Sequence, residues 1–241
     1  MMKKSFIIAF AMVISLGVAL PSSPVSADFH DYDVWKSEEQ HDKMGERFYK
    51  SEAFLKLKAE ELGIDTEGKN AKTLAKEVHE AKVKQAAEEL GIDIEGKDTK
   101  ELAKEVHHQK VMKKAAELGI ETDGKEPKAL AKEVHELQVK QKAEELGIST
   151  EGKDIKKIKR EVMQTYITNK AKELGIDTEG KGPGEIAKEI HEQKIFQSAA
   201  QLGIDTKDKD AEQLFEEIIA NHAEEAKELK LFPFGERNKS H

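Results

Sequence analysis

Four histidines, His79, His107, His135 and His191, occupy one position of a 28-residue period, each two residues after a glutamate. A row of imidazoles in that register could gather Zn(II) if successive units stacked them. Val83, Val111, Val139 and Ile195 stand four residues further on, so the His-Glu-x-x-His pattern of zinc proteases is absent and adjacent units would have to supply the remaining ligands. The competing reading, which we favour, makes each ring a half-buried group at a seam between two apolar faces. Met163 at the equivalent position fits packing better than ligation.

Two further patterns invite chemistry. If the chain is cut after Ala27, it begins Asp28-Phe29-His30, and a free amine with histidine third offers four nitrogens in a square plane, the arrangement that suits Cu(II) or Ni(II). Gly63 to Lys69 satisfies Gly-x-x-x-x-Gly-Lys, as do the matching segments at Gly91, Gly119, Gly147 and Gly175. These are not phosphate loops: the next residue is Asn70, Asp98, Glu126, Asp154 or Gly182 instead of Ser or Thr, and a helix precedes each. Cysteine is absent and serine too scattered for a triad, so no catalytic constellation is read and the chain is expected to be non-enzymatic, without a cofactor beyond those metals.

What positions these residues is a repeat. Leu-Gly-Ile returns six times at an interval of 28 residues, with its glycine at Gly63, Gly91, Gly119, Gly147, Gly175 and Gly203. Such periodicity marks an array of units that cannot bury an apolar face alone. Each glycine sits where a helix end needs positive φ, and the isoleucine after it can meet an alanine of the last turn (Ala59 in the first copy), as in a Schellman cap. Asn70, Asp98, Asp154 and Asp210 then offer N-caps, while Pro127 and Pro183 suit a first helical position. Between the caps lie about 20 residues, enough for a helix of roughly 30 Å. In the copy starting at Ala71, Leu74 and Val78 project to one side, whereas Val83, Ala87 and Leu90 project to the other. Each helix should therefore close one corner with its predecessor and another with its successor. The expected fold is all-α, tandem 28-residue helix-loop units forming an elongated zigzag or superhelical array with few contacts distant in sequence. Lys159 and Met163, in place of the usual Ala and His, are expected to bend or weaken the fourth unit.

The corner Ala-x-x-Leu-Gly-Ile-Asp-Thr-x-Gly-Lys-x-x-x-x-Leu-Ala resembles the SAP and related helix-extended-helix motifs over about 25 residues around each loop. The resemblance implies a helix-loop-helix elbow; the DNA binding common among such motifs is not carried over, because basic residues here are matched by acids. The chain also resembles secreted helical-repeat proteins of Bacillus-like bacteria.

Lys3 and Lys4 precede an apolar run over residues 6–20, and small residues follow to Ala27, so residues 1–27 read as a secretory signal peptide, with a retained membrane anchor as the competing reading. At about 15 residues the run is short for a membrane span, and no hydrophobic tail or LPxTG-like wall anchor ends the chain. Residues 28–34 are expected to be a mobile mature N-terminus, 35–62 an initial capping helix, 63–230 the array and 231–241 a tail whose aromatics cap it. Loss of Lys3 and Lys4 takes the formal charge from −8 to −10. That balance disfavours nucleic acid as a partner. The leading functional reading is a secreted, extracellular or wall-associated module that binds a protein or cell-envelope component, or acts as a spacer; extracellular metal binding is the alternative and an array that binds nucleic acid the third. The sequence leaves the oligomeric state open.

Overall fold

The computed structural model describes residues 48–235. Its elements are α1 (Glu52–Glu61), α2 (Ala71–Glu89), α3 (Thr99–Glu117), α4 (Pro127–Glu145), α5 (Ile155–Glu173), α6 (Pro183–Gln201), α7 (Ala211–Asn221) and α8 (Ala223–Glu228), with no strand among the described residues. No helix among these residues is long and apolar enough to cross a membrane. The five helices α2 to α6 are each 19 residues long, about 28 Å at 1.5 Å per residue.

The helix stop is the sequence motif made geometry. Gly63 has φ 69° and donates its N–H to Glu60 O at 3.0 Å, while the Ile64 N–H reaches Ala59 O at 2.8 Å. Those two bonds define a Schellman cap, and the isoleucine-to-alanine bond recurs in all six copies at 2.8 to 2.9 Å. A second positive-φ residue, Gly68 and its equivalents, turns the chain toward the next helix, and Asp208 with φ 58° does so in the sixth loop, where the sequence supplies no glycine. The starts also agree with the sequence. Asn70, Asp98, Asp154 and Asp210 accept from the backbone three residues on, Asp98 and Asp210 within full capping boxes, and Pro127 and Pro183 open their helices.

Each helix divides its apolar residues between two corners. Leu74 and Val78 pack with Leu55 and Ala59 of α1, whereas Val83 and Ala87 of the same helix pack with Leu102 and Val106 of α3. The pattern continues through three more corners, so the core is a series of small separate clusters, not one continuous interior. The fourth unit keeps its length, cap and corner despite Lys159 and Met163, because Ile158 and Val162 still supply its first-half apolar pair.

Where the array departs from expectation is its ends. An open, elongated course predicts that the first and last units never touch, yet α1 packs against α7. Corners built from one sequence repeat one geometry, and the repeated turn accumulates until the last unit meets the first. The largest apolar cluster lies at this junction: the Phe48 and Phe54 rings lie 5.0 and 6.1 Å from that of Phe215, within a core that includes Ile195, Leu214 and Ile218. The initial helix expected over residues 35–62 is interrupted, since Ser51 is extended and its hydroxyl caps α1 by accepting from Phe54 N–H at 3.3 Å; residues 35–47 lie outside the described region. The tail expected over 231–241 is likewise divided. Leu231, Phe232 and Phe234 are buried in the closing core, and the Phe232 N–H donates to the buried Ser198 hydroxyl of α6 at 3.1 Å.

Charge latches the same junction. Glu61 accepts from Lys58 at 2.5 Å and from Lys227 at 2.7 Å. Lys58, only 3 % exposed, lies 5.3 Å from the Phe54 ring centre and 5.5 Å from that of Phe234, so the aromatic faces help compensate its lost hydration. Burial pushes the Glu61 carboxyl up, but the two lysine hydrogen bonds outweigh it and hold the group below its ordinary value. Its contribution to stability is therefore present above the ordinary carboxylate value and lost as pH falls through the folded one.

Glu61→Gln should lower stability at pH 7 by about 1 kcal/mol, the scale of a partly exposed ion pair. The gap from wild type should shrink in urea titrations as the pH is lowered toward 3. In thermal melts, Gly147→Ala should cost about 1 to 2 kcal/mol because that residue has φ 68°, whereas Gly184→Ala, inside α6 with nothing within 4 Å of the added methyl, should gain about 0.5 to 1 kcal/mol.

Candidate binding groove

Six lysines brace the corners through ion pairs. Lys69, Lys97, Lys125, Lys181 and Lys209 each reach a glutamate eight residues on, at 2.5 to 2.6 Å, and Lys153 pairs with Glu161 in the same way. The pair runs from the loop to the second turn of the next helix and fixes one to the other. Nothing in the sequence reading found it, although Gly-Lys followed eight residues later by Glu was visible in five copies and Lys-Glu at the same spacing in the sixth.

The histidine row does not converge. His79 and His107 are exposed, while His135 and His191 are half-buried, and the His191 ring lies 5.7 Å from Phe232 in the closing core. Among the described residues no group of three or more His, Cys, Asp or Glu side chains is arranged to hold a metal ion. Repetition at helical corners spaces equivalent residues by a whole unit, so no more than two of these imidazoles, His79 and His107, line a common cavity. Asp28, Phe29 and His30 lie outside the described residues.

His135 nonetheless has an unusual environment. Its burial pushes the imidazole below its ordinary value, and the Lys159 ammonium pushes it the same way against the opposing pull of Glu136. Burial lowers Lys159 as well. The ring is thus held neutral. Its contribution to stability is present above the ordinary histidine value and lost as pH falls through the folded one.

What the helices do bring together is a groove. A cavity of about 240 Å³ opens along α2, α3 and the middle of α4, floored by Val83, Val106, Val111 and Val134. Lys82, Lys110, Lys114, His79 and His107 line it, and no aspartate or glutamate does. Lys114 is held by Glu117 at 3.0 Å; Lys82 and Lys110 are exposed. In the 28-residue period Lys194 repeats the position of Lys82 and Lys110, with Gln138 and Tyr166 between them, and Lys142 and Lys170 repeat that of Lys114. A chain acidic overall therefore gathers cations beside an apolar floor. Local counting by unit hides this, because none of the acids in these units is among the lining residues. Glu77, Glu105 and Glu133, for example, are engaged with the loop lysines.

Comparison with protein families, with curated proteins and with solved structures yields no match to this chain.

Lys159→Ala, which restores the alanine found at Ala75, Ala103, Ala131 and Ala187, should raise the His135 titration midpoint measured by NMR. An unchanged or lower midpoint would show that the lysine charge does not act on the ring.

Proposed function

We propose that this chain is a secreted, non-enzymatic binding module, exported by residues 1–27, whose closed helical array presents a cation-lined apolar groove to an anionic protein or cell-envelope partner. The observation that carries the reading is the composition of the groove: three lysines and two histidines around four valines, with no acid among the lining residues. In a concave site field lines from like charges add, so a chain acidic overall still attracts an anion locally. The scaffold supports this role, since caps, corner clusters and braces hold the groove walls on helices and not on loops. The elbows that resemble SAP motifs contribute shape to this reading and no nucleic-acid activity.

Poly-L-glutamate and poly(glycerol phosphate) are suitable probes for the two partner classes, with duplex DNA as the control. Either of the first two should bind at low ionic strength, weakening as salt screens the lysines. Lys82→Glu with Lys110→Glu should lower that affinity at least tenfold while leaving the helical circular-dichroism signal intact. Absence of binding to both polymers, or equal binding by the double variant, would refute the reading. DNA binding tighter than either would favour the nucleic-acid alternative instead.

A further inference from the structure

The array contains one copy of the groove face that is already filled. Resting on the reading above, we infer that the partner is a protein and that the groove takes from it a short segment with an aromatic residue beside a carboxylate, the ring lying against His107.

The 28-residue period sets up the comparison. His79 with Lys82, His107 with Lys110 and His191 with Lys194 are the copies in which the histidine is followed three residues on by lysine; the remaining two hold His135 with Gln138 and Met163 with Tyr166. The first two pairs line the open groove. At the third, on α6, the segment that follows α8 lies over the same face. The Phe232 ring centre is 5.7 Å from that of His191, and the Phe232 N–H donates to Ser198 Oγ at 3.1 Å. Ser198 stands where α3 has Lys114, and Ile195 where α3 has Val111. Ile195 and Ser198 are buried, whereas Val111 and Lys114 are only half-buried. The junction thus displays, within one molecule, what the imidazole at this position packs against: a phenylalanine from a short segment, anchored two turns further along the helix by a side-chain hydrogen bond.

Room and charge define how the open copy differs. A cavity of about 150 Å³ admits benzene, so the groove, at about 240 Å³, admits one phenylalanine ring. Val106 and Val134 are already covered by corner packing, and the ring's contacts are instead the exposed imidazole of His107, the half-buried Val111 and the stem of Lys110. Ser198 accepts an N–H, but Lys114 in the same place can only donate. The group that meets it is therefore an acceptor. With Lys110 exposed nearby and no acid among the lining residues, a carboxylate fits best. Lys114 keeps Glu117, 3.0 Å away, because an ammonium has three donors and the pair is partly exposed. A phosphate polymer would answer the charge and leave the ring site empty, which is why the partner is a protein.

Calorimetric titration of the protein with acetyl-Glu-Leu-Phe-Glu-amide, against acetyl-Glu-Leu-Ala-Glu-amide of equal charge, tests this. The phenylalanine peptide should bind at least tenfold more tightly. His107→Ala, at an exposed helical position that alanine suits, should remove most of that advantage while the circular-dichroism signal stays unchanged. Lys110→Glu should weaken both peptides several-fold. In NMR spectra of the wild-type protein, the bound ring should shift the His107 ring protons upfield and leave those of His222 in place. Equal affinity for the two peptides, or His107 protons unmoved at saturation, would overturn the inference; poly-L-glutamate that still bound would leave the polyanion reading standing. Binding of neither peptide nor poly-L-glutamate, with poly(glycerol phosphate) bound, would overturn the inference and assign the groove to an envelope polymer. Binding of none of these probes would overturn the functional reading and the inference together.

Discussion

Everything in this fold follows from one backbone event repeated six times: an isoleucine N–H bonding to an alanine carbonyl five residues back, across a glycine of positive φ. That bond ends a helix and sets the direction in which the chain leaves it. It also places the isoleucine beside the alanine, where the preceding helix meets the next. Because the event is local, every corner forms from residues close in sequence, and the protein needs no common interior. The consequence is an architecture in which stability is distributed corner by corner. The closing junction alone must find its partners across almost the whole chain.

The two kinds of core differ in composition for that reason. Internal corners use Leu, Ile, Val and Ala, which fit the narrow space between two crossing helices. The junction has to join α1, α6, α7, α8 and the segment after it, and it uses aromatic rings to span the wider gap. Lys58 and Lys227 flank Phe234, and both meet Glu61, so charge and aromatic surface define the same contact. The loop braces serve a related purpose at each corner. They tie the direction of a loop to the helix that follows, while Lys82, Lys110 and Lys114 line the groove.

Helix ends were legible in the sequence because they are stereochemical: few residues other than glycine adopt left-handed backbone without strain, and few but Asn, Asp, Ser and Thr cap a start. The opposed half-faces of each helix were legible too, since Leu74 with Val78 and Val83 with Ala87 obey helical projection. Closure was not read, because the angle between helices depends on side-chain interlocking that periodicity does not encode. A signal existed nevertheless. No phenylalanine occurs between Phe54 and Phe196, while both flanks are rich in it, the distribution expected if the flanks pack together. The groove was missed for a different reason: its lysines lie three and seven residues beyond His79 and its equivalents, and they become neighbours only when three successive helices are in place.

A circuit that returns to its origin counts its own members. Genes with near-identical tandem segments readily gain or lose copies by misaligned recombination, and an open solenoid absorbs such changes as a difference in length. Here a product with one unit more or fewer would leave Phe48 and Phe54 opposite the wrong corner, with Glu61 far from Lys227. Its aromatic ends would then be unpaired and available to strangers. The junction thus acts as a proofreader of copy number at the level of folding.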